Sequence, residues 1–259
     1  MVGPALSFSG ISKEYRIGWR GLRVRALDDF TCELPSGQIL GLLGANGSGK
    51  STALKIVAGV VRADRGLCRV FGHTAGTRQA NQLIGYQPEL GGVYAHLSGF
   101  ESLDYWGRLA GLDRTTAAER ATAMLTQLDL ESKSSQRVKT FSKGMKQRLA
   151  VGQALVARPQ LVLLDEPFSG LDPLAIRSLS GLLRELAQGG TTIVFTSHLL
   201  TKVEQLCDLI GLMHRGSLLV CDTVDTVTRG RDGTRRSLDE VFIELVGAGG
   251  APSLGGKSR

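Results

Sequence analysis

The stretch Gly44-Ala-Asn-Gly-Ser-Gly-Lys-Ser51 limits what this chain can fold into more than any other part of its sequence. It fits G-x-x-x-x-G-K-[ST], and its flanks supply the context the pattern needs. Gln38 to Leu43 reads as a compact apolar strand, and Ser51 to Gly59 reads as a helix with Leu54, Val57 and Ala58 facing inward. A strand passing through a glycine-rich turn into a helix leaves backbone N–H groups free to close around an anion, and the helix dipole favours negative charge there. The stretch therefore reads as a phosphate-binding turn. Lys50 is expected to reach the β- and γ-phosphates of a nucleotide from an open site, and Ser51 to offer a hydroxyl to Mg²⁺. Gly44, Ala45, Asn46, Gly47, Ser48, Gly49, Lys50, Ser51 and Thr52 form the implied nucleotide-binding set.

A second motif answers the first. Leu161-Val-Leu-Leu-Asp165-Glu166 puts two carboxylates at the end of a hydrophobic strand, where acidic groups are costly unless a cation or a substrate uses them. Asp165 suits a role in holding Mg²⁺, and Glu166 can polarise an attacking water as general base.

The rest of the chain frames these motifs. Leu6 to Tyr15 and Val24 to Leu34 alternate apolar and polar residues, as antiparallel strands joined by a basic loop around Trp19 and Arg20 would. From Gly91 to Arg158 the period becomes helical, with Phe100, Leu103, Trp106 and Ala110 in one segment and Ala118, Ala121, Met124, Leu125 and Leu128 in the next. Leu161 to Asp165 and Thr191 to Thr196 return to continuous apolar runs, the mark of strands covered on both faces of a parallel sheet. Between them Leu174, Ile176, Leu179, Leu182, Leu183 and Leu186 keep a helical period. Leu209 to Met213 and Leu218 to Cys221 read as a hairpin around Arg215 and Gly216. Ser237-Leu-Asp-Glu240 reads as a capping box opening a short helix through Leu245, and Gly247 to Arg259 as a loose tail.

Composition narrows the function class. With 259 residues, 42% hydrophobic and 21% charged, the chain buries a core without staples, and wholesale disorder is excluded. The apolar runs Ile56 to Val61 and Leu161 to Leu164 fall far short of the roughly 18 to 20 residues of a membrane span, and Met1 to Ile11 lacks the layout of a secretion signal, so a cytosolic location is expected. Cys32, Cys68, Cys207 and Cys221 show no metal spacing and read as reduced thiols. The net charge of +7 permits a polyanionic partner, and Arg137, Lys139, Lys143, Lys146, Arg148 and Arg158 lie in one window without an acidic residue.

Further motifs identify a family. Phe141-Ser-Lys-Gly-Met-Lys-Gln-Arg148 resembles the signature of ATP-binding-cassette (ABC) ATPases, Pro167-Phe-Ser-Gly-Leu-Asp172 their D-loop, and Thr196-Ser-His198 their switch histidine. Gln87 stands where their Q-loop glutamine stands, and Tyr15 is placed like the aromatic that stacks on adenine. The motifs occur in the family's order and cover about residues 5 to 225. The resemblance implies an α/β fold: a P-loop NTPase core with an N-terminal antiparallel β subdomain and an inserted helical subdomain. It implies an ATPase domain over 1–228, its helical insertion at about 91–158, followed by a short helix and tail over 229–259.

It also implies ATP and Mg²⁺ as ligands, with Ser51, Gln87 and Asp165 around the metal and with Glu166, His198, Lys50 and Gln87 in catalysis. Ser142 and Gly144 of a second subunit would close on the γ-phosphate held at Lys50 of the first, so a dimer is implied, a homodimer being competent. Lys143 stands in place of a glycine usual in the signature and Met145 in place of its glutamine, while Ser142 and Gly144 are kept, so the trans contacts of those two replaced side chains do not carry over. F-S-K-G-M-K-Q-R, with Leu238-Asp-Glu-Val-Phe-Ile-Glu-Leu245, resembles ATPase subunits of bacterial exporters for drugs, lipids or polysaccharides. The expected role is to power a separate membrane permease from the cytoplasmic face of the cell membrane, with no direct nucleic-acid contact. The other class open to a lone cassette is a soluble ABC ATPase acting in assembly or regulation. Chromosome and repair ATPases of this family carry a long coiled coil before the signature, for which the 92 positions between Lys50 and Ser142 leave no room. Translation-associated members carry two cassettes.

Overall fold

The computed structural model describes residues 3–18, 22–89, 92–198, 200–230 and 234–247. Two long strands, β1 (Leu6–Ile17) and β2 (Leu22–Leu34), pair antiparallel with several register shifts; Trp19 and Arg20 lie outside the described residues. Then come β3 (Ile39–Leu43), α1 (Lys50–Val57), β4 (Arg65–Val70), β5 (His73–Thr74), α2 (Arg78–Asn81) and β6 (Ile84–Gln87). The helical stretch holds α3 (Gly99–Leu109), α4 (Arg114–Gln127) and α5 (Lys143–Leu155). The chain ends with β7 (Leu161–Leu164), α6 (Pro173–Gln188), β8 (Thr192–Ser197), α7 (Leu200–Leu206), β9 (Leu209–His214), β10 (Ser217–Thr223), α8 (Val224–Thr228) and α9 (Leu238–Gly247).

Two sheets result. One is antiparallel, in the order β2-β1-β4-β5; the other runs β10-β9-β3-β8-β7-β6, all parallel except the β9–β10 hairpin. In the larger sheet β3, β7 and β8 are buried along their whole length. Their side chains alternate between two cores, as the strand period of two requires. Leu40, Leu42, Leu161, Leu163 and Val194 pack with α1 and the antiparallel sheet, whereas Ile39, Leu43, Val162, Leu164, Ile193 and Phe195 pack beneath α5, α6 and α7. The α/β architecture with its N-terminal antiparallel sheet and inserted helices is thus the one the motifs imply.

Helix starts follow their caps. Ser98 and Glu101 form a capping box on α3, Asp113 accepts from two backbone amides of α4, and Asp172 caps α6 ahead of Pro173. The box at Ser237 and Glu240 forms as expected, and α9 buries Leu238 and Val241 beside α7 and α8. Of the stretch read as a tail, Gly247 instead closes α9, and residues 248–259 lie outside the described residues.

Several expected core positions come out differently. Leu174 is 80% exposed because it sits in the first turn of α6, before the helix reaches the sheet. Ala110 is exposed at the C-cap of α3, and on α4 the fully buried neighbour is Ala117, Ala118 being half-buried. Phe100 and Trp106 pack against the core of the helical stretch, while Tyr94 and Tyr105 remain exposed.

Candidate nucleotide site

The glycine-rich turn is wedged between β2 and the β9–β10 hairpin. A Cβ on Gly44 would stand 2.3 Å from the Met213 carbonyl oxygen, and one on Gly49, whose φ is 109°, 2.3 Å from that of Ala26. Only glycine fits this approach of three backbones. The Gly216 amide donates to the Ser48 carbonyl at 3.0 Å and ties the hairpin tip to the turn. Ala45, Asn46 and Gly47 face solvent at its crest, while Ser48, Gly49 and Lys50 are buried and Ser51 and Thr52 half-buried. The turn thus presents its amides beside the start of α1, as anion binding requires.

Lys50 departs from the open-site expectation. It is 6% exposed, and its ammonium donates to the carbonyls of Gly44 at 2.8 Å and Ala45 at 3.1 Å, folded back over its own glycine-rich turn. Burial lowers its pKa from the usual lysine value, against the opposing pull of Glu166, Asp165 and Glu89.

The ends of three parallel strands bring the remaining groups to α1. Asp165, just past β7 and 1% exposed, accepts from Ser51 Oγ at 3.0 Å and from Thr196 Oγ1 at 2.6 Å through the same oxygen, Oδ1. The Thr196 hydroxyl in turn accepts from the Glu166 amide at 2.9 Å, locking the two acidic residues to the end of β8. Glu166 adopts φ 53°, a left-handed conformation rare for a residue with a side chain and common where function demands it. Its Oε2 lies 2.9 Å from His198 Nδ1. Burial raises the Glu166 pKa above the usual carboxylate range, although His198 and Lys50 partly offset that.

Gln87, at the end of β6, is 2% exposed. Its Nε2 donates to the Pro88 carbonyl at 2.7 Å and to that of Asp165 at 3.3 Å, while its Oε1 is buried without a hydrogen-bond partner. A buried acceptor without a donor suits a hard cation. With Ser51 Oγ and the Asp165 carboxylate it makes an all-oxygen set of the kind Mg²⁺ takes alongside water and phosphate.

Ser142, Gly144 and Tyr15 do not join this constellation within one chain. Ser142 caps α5, its hydroxyl accepting from the Met145 amide at 3.2 Å, and is exposed. Gly144 lies against Gly170 and Leu171, so signature and D-loop are neighbours in the same molecule. Tyr15 is half-buried on β1 opposite Val24, with Lys13 Nζ 5.6 Å from its ring centre, two residues along β2 from Ala26 beside Gly49. Two contributors went unnoticed in the sequence. Thr196 is read there as the end of an apolar run and the start of the histidine motif, with no role of its own, though a hydroxyl at the end of a strand adjoining the carboxylates is a legible signal. Gln147 donates to the carbonyls of Glu166 at 3.1 Å and Pro167 at 3.2 Å, holding α5 to the strand end that carries the carboxylate pair.

A phosphate turn facing a strand-end Asp–Glu pair across a parallel sheet is the site of a P-loop nucleotide-binding protein. Within that class the chain belongs to the ABC transporter family, whose model matches residues 27–169. It is 40% identical to an ABC transporter ATP-binding protein of Synechocystis, over 86% of this chain and 64% of that protein. It is 37% identical to the linearmycin resistance ATP-binding protein LnrL of Bacillus subtilis, over 73% of this chain and 62% of that one. The chain therefore spans a little under two thirds of the length of these relatives. A solved ATP-binding subunit of an ABC transporter superposes with a TM-score of 0.83 at 32% identity, over 93% of this chain and 99% of that structure.

Proposed function

We propose that this chain binds and hydrolyses ATP as the cassette subunit of an ABC transporter, driving a separate membrane permease in export. The observation that supports the reading is the bonded set Ser51–Asp165–Thr196–Glu166–His198, which holds the glycine-rich turn, a buried carboxylate and Glu166 in one frame. The turn amides and Lys50 hold the phosphate chain of ATP and meet its charge. Glu166, beside His198, takes the proton of the attacking water, and its raised pKa makes it a stronger base than an ordinary carboxylate. His198, 56% exposed, is placed to touch the γ-phosphate while it orients Glu166. Mg²⁺, when bound by Ser51, Asp165 and Gln87, supplies charge compensation to the phosphates. Ser142 and Gly144, which among the described residues bond to none of this site in their own chain, serve the site of a second subunit. Tyr15 stacks on the adenine ring.

Residues 1–228 make the ATPase domain, and α9 is an accessory packed on it. Export is supported by the likeness to the linearmycin resistance ATP-binding protein of Bacillus subtilis. A separate permease is supported by the absence, among the described residues, of a helix long and apolar enough to cross a membrane. Its docking place is the groove of about 420 Å³ between β6, α3 and α5, lined by Tyr86, Gln87, Trp106, Leu109 and Gln153. Tyr94 and Tyr105, exposed with ring centres 5.8 Å apart, extend this face. The groove shares Gln87 with the nucleotide site, so a helix of the permease seated there senses the strand end that carries catalysis.

The test is membrane fractionation with the permease present. The chain should sediment with membranes at a salt concentration that removes charge-bound proteins, and Tyr94→Asp should release it with basal hydrolysis unchanged. A chain that stays in solution at low salt, with no membrane component recovered after cross-linking, would overturn transport in favour of a soluble assembly ATPase.

A further inference from the structure

Glu166 holds a backbone conformation that its own chain opposes. A side chain disfavours φ 53°, and the ring of Pro167 pushes the residue before it toward extended backbone. Such a residue persists only where its surroundings fix it. On one side the Glu166 amide donates to Thr196 Oγ1 at 2.9 Å. On the other the Glu166 carbonyl accepts from the Ser169 amide at 3.1 Å, within its own turn, and from Gln147 Nε2 at 3.1 Å, from outside it.

The second hydrogen of Gln147 Nε2 goes to the Pro167 carbonyl at 3.2 Å. Successive carbonyls point to opposite sides of an extended chain, whereas these two converge on one nitrogen, so the amide spans the bend that follows Glu166. Carbonyls only accept, so the nitrogen of the side chain faces them and not its oxygen. Gln147 reaches this bend from α5, whose Lys143 and Gly144, one turn earlier, bear on the same loop. A Cβ on Gly170 would stand 2.8 Å from Lys143 Cε, and one on Gly144 3.3 Å from the Gly170 carbonyl oxygen. The helix is anchored without Gln147, by Leu149, Val151 and Leu155 in the core and by Arg148, which donates to the Leu128 carbonyl at 2.7 Å. Gln147 therefore stands on a fixed helix and grips the residue whose conformation needs holding.

We propose that Gln147 is a positioning residue for ATP hydrolysis, holding Glu166 in the left-handed conformation that sets its carboxylate beside His198 and toward the attacking water. The inference rests on the proposed role of Glu166 as general base. In this role Gln147 acts only through Glu166, with no contact of its own to ATP. Its loss should slow the chemical step and leave nucleotide binding alone, because a reacting group displaced by even an ångström loses rate steeply.

The experiment measures steady-state hydrolysis of ATP with Mg²⁺ by the full chain, by Gln147→Leu and Gln147→Glu, and by each of these combined with Glu166→Gln. Gln147→Leu keeps most of the bulk and removes the donor; Gln147→Glu keeps the shape and sets oxygens against both carbonyls. Each single variant should lose about 10- to 100-fold in kcat, with KM for ATP within about twofold of the parent. Added to Glu166→Gln, either change should lower the residual turnover by less than about twofold, since a residue that acts through the base then has nothing left to position. Where Gln147→Leu melts early, the near-isosteric Gln147→Glu decides by the same comparison. Parental kcat in a folded variant, a change confined to KM, or an equal loss with and without Glu166→Gln would each overturn the proposal. Near-parental turnover of Glu166→Gln alone would remove the general base and this inference with it, whereas loss there beside parental kcat in both Gln147 variants would remove this inference only.

Discussion

Lys50 and Glu166 carry opposite charges in one partly dry site, and burial works against both. On the proposed role of Lys50, Lys50→Ala removes the ammonium that would meet phosphate charge and should cut ATP turnover by about 10² to 10³. Its effect on melting should be small, since losing the bonds to Gly44 and Ala45 is offset by relief of a buried charge. Turnover near that of the parent from a folded variant would contradict the phosphate-turn role. The two shifts also shape the pH profile. Glu166 must be ionised to act as base and its pKa is raised, so the acid limb of kcat/KM should lie above the ordinary glutamate range; Lys50 must be protonated and its pKa is lowered, so the alkaline limb should lie below the ordinary lysine range. Glu166→Gln should abolish the acid limb and reduce turnover by about 10² to 10⁴. For stability the sign is opposite to that for activity: a carboxyl with a raised folded pKa favours the fold below its unfolded pKa, and that contribution is lost as pH rises through the folded value.

At the scale of elements, the strand–turn–helix unit was legible because its constraints are local: apolar runs, glycines where backbones touch, and a lysine at the first position of α1. The buried strands β3, β7 and β8 were legible for the same reason. What escaped was long-range. The Thr196–Asp165 bond joins two strands 31 residues apart in sequence, and nothing in the periodicity of α6 reveals that its first turn, with Leu174, overhangs the sheet. Lys50 escaped too, because the motif fixes where its backbone sits but not that its own turn's carbonyls capture the ammonium. Caps were legible and can be tested singly. Ser237→Ala should remove the box that starts α9 and cost about 1 kcal/mol by denaturant unfolding, leaving hydrolysis intact. A loss of turnover instead would tie α9 to the site. The cap of α5 is different, since Ser142 has a second proposed task across a subunit boundary. A heterodimer with Ser142→Arg on one chain and Lys50→Ala on the other should keep one working site, whereas both changes on one chain should spoil both sites. Equal activity of the two arrangements would count against closure in trans.

At the scale of the whole molecule, the proposed role makes this chain one half of a two-cassette machine. Its parallel sheet gathers the glycine-rich turn, the carboxylate pair and Gln87 at one edge, while the signature at the start of α5 rests on the D-loop. In the proposed function the docking groove and the nucleotide site share Gln87, so closure of two cassettes around ATP and movement at the permease face would be linked through β6. The reading thus stands or falls on whether ATP draws two copies together. The direct measurement is the mass of Glu166→Gln in solution, by light scattering, with and without ATP and Mg²⁺. The account predicts a monomer alone and a doubled mass with ATP, reversed when Lys50→Ala is added; a Glu166→Gln variant that binds ATP yet stays monomeric at saturation would contradict it.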